Sequence, residues 1–125
     1  MENLFEEVLS IEGIMGVIII SDDGASEFTK FVYPLSEIIG KKNFGSFIKN
    51  SINIDALKSA FSNTNESLLI YDKLRLYIKK LQNGYLIIPM GMFVPVAMVR
   101  INCQIIIPEI EKHKKSKGIG RFFKK

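Results

Sequence analysis

The chain has 125 residues, 47% of them hydrophobic, and a formal net charge of +4. That length suits one domain with a substantial core, and that hydrophobicity excludes global disorder. Its one cysteine, Cys103, excludes a disulfide framework or a zinc site built within a single chain.

The charge is unevenly placed. Residues 112–125 hold seven Lys or Arg and no acid, whereas the remainder holds ten basic and all thirteen acidic groups, a net of −3. The expected organisation is therefore a mildly acidic domain over 1–111 and a basic, flexible tail over 112–125. Met1 to Glu7 is acidic where a secretory signal would be basic, so a cytoplasmic protein is expected. The uncharged run from Gln82 to Val99 is broken by Gly84, Pro89, Gly91 and Pro95, which fits a strand, a turn and a helix start rather than a membrane span.

In chain order, Leu4, Phe5, Val8, Leu9 and Ile11 predict a short amphipathic helix that Gly13 ends. Ile14 to Ile20 is almost wholly apolar and predicts a strand covered on both faces, with Gly16 allowing close backbone approach. Asp22-Asp23-Gly24 is hairpin chemistry leading into a second strand over Glu27–Tyr33. Neither Gly13 nor Gly16 is followed by the Lys-Ser/Thr that a phosphate loop requires. Through 35–65 the apolar spacing predicts a second helix, firmest at Asn53 to Phe61. Ser67–Tyr71 reads as a third strand, turned by Asp72-Lys73. In the fourth, Leu74, Leu76 and Ile78 alternate with Arg75, Tyr77 and Lys79, which predicts one wet face. Asn83-Gly84 predicts a primed-turn hairpin into a fifth strand, Tyr85–Met90. Pro95 opens a last helix whose inner side is Val96, Val99, Cys103, Ile106, Ile107 and Ile110, kinked or ended by Pro108. The order α-β-β-α-β-β-β-α makes the fold α+β.

That order, with Leu9-x-x-x-Gly13-Ile14-x-Gly16-Val17-Ile18-Ile19 near its start, resembles the roadblock/dynein light-chain family. Leu68-Leu69-Ile70-Tyr71, Asn83-Gly84-Tyr85-Leu86-Ile87-Ile88-Pro89 and Ala97-Met98-Val99-Arg100-Ile101-Asn102 look like its third strand, fifth strand and last helix. The resemblance spans residues 2 to 111. It implies a five-stranded antiparallel sheet between helices, an α/β sandwich of roadblock/profilin type. It also implies a homodimer in which middle helices pack together and third strands meet edge to edge. On this chain the corresponding residues are Leu57, Ala60 and Phe61 on the helix and Leu68, Leu69, Ile70 and Tyr71 on the strand. Family members mostly bind Ras-like small GTPases, and some accelerate GTP hydrolysis without donating catalytic groups. The expected partner is therefore a Ras-like small GTPase, the expected role a regulator or scaffold.

No catalytic set emerges from the residues, and no cofactor, metal or small-molecule substrate is expected. His113 lies in the basic tail, Cys103 on an apolar stripe, and Asp22-Asp23 before a turn glycine. Met90, Met92 and Met98 read as core filler, and Arg75, Lys79 and Lys80 as solubilising charges. The tail, with Gly118 and Gly120 and no apolar period, reads as non-helical. Its cations suit an anionic membrane or nucleic acid. Ile119, Arg121, Phe122 and Phe123 also resemble the terminal peptide by which proteins dock on a sliding DNA clamp. The alternative function is thus an interaction module tethered through that tail.

Overall fold

In the computed structural model the described residues are 2–32, 59, 61, 64–71 and 74–124. A 3-10 turn (Glu2–Phe5) runs into one turn of helix, α1 (Glu6–Leu9). The strands are β1 (Gly16–Ser21), β2 (Ser26–Phe31), β3 (Glu66–Ile70), β4 (Arg75–Leu81) and β5 (Gly84–Met90), and α2 spans Val96–Lys124. The expected middle helix lies outside the described residues except for Ser59 and Phe61, and so does the Asp72-Lys73 turn.

The strands form one sheet in the order β2-β1-β5-β4-β3, with every neighbouring pair antiparallel. β1 and β5 are central, and their nearly unbroken apolar sequences follow from cover on both faces. Val17, Ile19, Tyr77, Leu81, Leu86 and Ile88 pack on one side with Phe5, Val8, Val99, Cys103, Ile106 and Ile110. Met15, Ile18, Leu76, Ile78, Tyr85 and Ile87 pack on the other side with Phe61. Each such fully buried side chain contributes about 1.5–3 kcal/mol. Phe5 of the N-terminal turn stacks on Phe28 of β2 with centroids 5.3 Å apart, pinning the start of the chain to the sheet.

Gly13 adopts φ +96 but does not end α1, whose C-cap is Ser10; it lies in the turn before β1, where the Ile14 amide donates to the Ile11 carbonyl at 3.1 Å. At Gly16 a Cβ would meet the Lys30 carbonyl oxygen at 2.6 Å, so the close approach read from sequence is real. Asp23 shapes the first hairpin by accepting from the Ala25 amide at 3.1 Å and from the Ser21 hydroxyl.

Four further sequence expectations need correction. The Asn83-Gly84 hairpin forms, with Leu81 paired to Gly84, but without a primed turn. No described non-glycine residue has positive φ, and Gly84 is not among the positive-φ glycines. Gly84 instead sits in β5 where a Cβ would strike the Ile20 carbonyl oxygen. β4 has no wet face over Leu74–Ile78, because α2 covers the Tyr77 side. Pro108 does not end the last helix. It removes one amide donor, and the carbonyl released, that of Gln104, belongs to an exposed position where water can replace it. Nor is the tail non-helical: α2 passes through Gly118 and Gly120, each costing about 1 kcal/mol relative to Ala without forbidding the helix.

Candidate interaction surface

β3 ends the sheet. It pairs only with β4 among the described residues, leaving one backbone edge open. Its two faces are partly covered by the chain itself. Leu68 packs against the α2-side cluster, and Leu69 and Tyr71 against the opposite one. Ile70 is the outlier, 64% exposed. The strand residues expected at a seam between copies are thus together on one edge. Of the helix residues expected beside them, Leu57 and Ala60 lie outside the described residues. Phe61 is buried within its own chain, its ring 5.5 Å from that of Tyr85.

The start of β3 is tied to α2 by charge. Arg100 donates through Nε to Glu66 Oε1 and Oε2 at 3.1 and 2.9 Å, and its terminal nitrogen lies 2.8 Å from Oε2. Tyr77 donates its hydroxyl to Glu66 Oε1 at 2.5 Å, and Lys79 Nζ stands 4.0 Å away. The Arg100 hydrogen bonds, with help from Tyr77, hold the Glu66 carboxyl below its ordinary range. Burial, followed by the bond to Glu66, pushes the Tyr77 phenol up.

Arg75, read from sequence as a solubilising charge, is instead a buried clamp. Its guanidinium donates to the Gly91 carbonyl from Nε at 3.0 Å and from a terminal nitrogen at 2.8 Å. The same terminal nitrogen donates to the Val94 carbonyl at 2.5 Å. These bonds fix the 91–95 loop from which α2 begins. At the tip of that loop Phe93 is 97% exposed. The reading of three methionines as core holds for Met90 alone; Met92 and Met98 are exposed, on the loop and on the outer side of α2. Ile101 and Ile105 are exposed with them. The signal was present in the sequence: 98, 101 and 105 repeat at helical spacing opposite 99, 103, 106 and 110.

The groups with potential chemistry are dispersed. Cys103 is fully buried, and burial pushes its thiol up to about 12, far from a reactive thiolate. Asp22 faces Lys80 at 3.7 Å beside the hairpin turn, and His113 is exposed on α2. Among the described residues no three His, Cys, Asp or Glu side chains group as metal ligands. No helix among them is long and apolar enough to cross a membrane. Ile119, Arg121, Phe122 and Phe123 fall in the last turns of α2.

The sequence matches no protein-family model and no curated protein. Solved structures do match. MglC from Myxococcus xanthus is similar with a TM-score of 0.64 at 14% identity, over 90% of this chain and 97% of that one. A Roadblock/LC7 domain from Streptomyces avermitilis is similar with a TM-score of 0.63 at 11% identity, over 92% and 94% of the two chains. The gliding protein MglB from Thermus thermophilus is similar with a TM-score of 0.58 at 14% identity, over 84% and 81%. The chain therefore has the roadblock fold, an α+β domain with a five-stranded antiparallel sheet.

Proposed function

We propose that the chain is a non-enzymatic, homodimeric regulator or scaffold for a Ras-like small GTPase, with the two-fold seam at the open edge of β3. The observation that carries this reading is that edge. β3 ends the sheet, contains neither Pro nor Lys, and turns Ile70 64% to solvent. An unblunted edge of this kind pairs readily with another strand. A two-fold axis lets it pair with its own copy, so one patch serves both subunits.

The roadblock fold, shared with MglB and MglC, supports a regulatory part. In such a role the GTPase keeps its own catalytic residues. The dimer acts by binding one arrangement of the partner's mobile loops better than another and so shifting their populations. Calorimetric titration with the Ras-like GTPases of the same cell, in GDP form and with a non-hydrolysable GTP analogue, tests the reading. Saturable binding of one GTPase with a preference for one nucleotide state is expected. Failure of every such GTPase to bind in either state overturns it. Equal binding by a chain shortened to residues 1–111 assigns the contact to the domain.

A further inference from the structure

α2 is apolar on two opposite sides, and among the described residues only one of them packs against the rest of the fold. Val99, Cys103, Ile106 and Ile110 are buried against the sheet. At 100° per residue, Ala97, Met98, Ile101 and Ile105 fall within an arc of about 100° directly opposite. All four are exposed, Ile101 at 58% and Ile105 at 65%. The loop that leads directly into this helix carries Phe93, 97% exposed, and the Arg75 clamp holds that loop in place. An apolar arc of this width is what a helix ordinarily buries.

The far end of the same helix supplies the second observation. Past Glu111, which accepts from the Gln82 amide at 2.6 Å, α2 continues through Lys112 to Lys124, about 20 Å further. Residues 112–125 carry seven Lys or Arg and no acid, against a net of −3 on the rest of the chain. An outward apolar ridge and a one-signed cationic segment thus lie in series along a single helix.

We propose that this face of α2 docks on an anionic lipid surface, with Phe93, Met98, Ile101 and Ile105 entering the interfacial layer and the basic end lying along the headgroups. Charge complementarity selects the surface, because only the basic end overcomes repulsion between an acidic domain and anionic lipid. Shape selects lipid over protein. The apolar part of this face is four side chains on the outer side of a helix and one on the loop before it. A fluid layer can close around a projecting phenyl ring and isoleucines without a matching pocket. The helix would lie on the bilayer and not span it.

Flotation of the native chain with phosphatidylserine–phosphatidylcholine vesicles, and with phosphatidylcholine alone, tests this. The native protein floats with the anionic vesicles, stays in solution with the neutral ones, and is released by salt. Ile101→Asp combined with Ile105→Asp lowers the partition at least about tenfold, since both the lost apolar insertion and the added charge oppose binding. The positions are exposed, so an unchanged melting curve verifies the fold; Phe93→Ser, outside the helix, is read instead if the double variant melts early. No flotation of the native chain on anionic vesicles overturns the proposal. So does native-like flotation of the folded variant, which assigns binding to the basic end alone. A fall in solution mass in the double variant overturns it as well, identifying the ridge as a seam between copies.

Discussion

Glu66, the first residue of β3, and Arg100, in α2, are joined by a two-pronged ion pair with nitrogen–oxygen distances of 2.8 to 3.1 Å. The pair fastens the edge strand, which pairs only with β4 among the described residues, to the helix that covers it. Its contribution depends on pH. The folded carboxyl is lowered from its ordinary value of 4.5, first by Arg100 and then by Tyr77. Stabilisation is therefore fully present above that value and is lost as the pH falls through the lower folded one. Glu66→Gln should melt a few degrees below the native protein at neutral pH, and the gap should close in acid. Circular-dichroism melting across that range measures it; a gap independent of pH removes the ion pair from the explanation.

Arg75 should be the most costly charged side chain to remove. Arg75→Met leaves the Gly91 and Val94 carbonyls without their donor in a part-buried place, a loss of about 2–4 kcal/mol. Arg75→Lys should recover only part of this, because one ammonium cannot reproduce the planar fork. Urea unfolding gives both values.

Gly84→Ala should destabilise by about 2 kcal/mol or more, since the added methyl meets the Ile20 carbonyl across the β1–β5 pairing. Asn83→Ala should cost far less, because Asn83 holds no left-handed conformation for Ala to lose. A primed turn would make Asn83→Ala costly as well, so urea midpoints of the two variants separate the accounts.

Cys103 should be silent toward thiol reagents in the native state. Its side chain is fully buried and its thiol is pushed up to about 12. Labelling with an aromatic disulfide should proceed at the rate of opening, and become rapid in denaturant. Fast stoichiometric labelling of native protein would contradict the burial of the inner face of α2.

The strands were legible because their chemistry is local. An apolar run between glycines, an Asp-Asp-Gly turn and the aromatic content of β2 each point to one conformation without help from distant residues. The inner stripe of α2 was legible for a similar reason, its period being helical. What failed depended on contacts between remote segments. Arg75 looked wet because alternation in β4 suggests one solvated face, and only α2, brought back over the sheet, covers the Tyr77 side. Met98 looked internal because composition cannot say which of two apolar sides of a helix meets the sheet. Pro108 and Gly118 looked like stops, yet the helix runs through both at a local cost of about 3 kcal/mol for the proline and about 1 kcal/mol for the glycine. At the candidate surface, the resemblance put Leu68 to Tyr71 on a third strand, and they lie in and just after the strand that ends the sheet, while Phe61 packs on Tyr85 within its own chain.

The central claim is that function belongs to a surface made by two copies joined along β3. Light scattering of the native chain and of Ile70→Lys at micromolar concentration tests it most directly. The account predicts twice the chain mass of 14.2 kDa for the native protein, and the single-chain mass for a variant that keeps its melting curve. A monomeric native protein, or an Ile70→Lys dimer indistinguishable from it, would contradict the account.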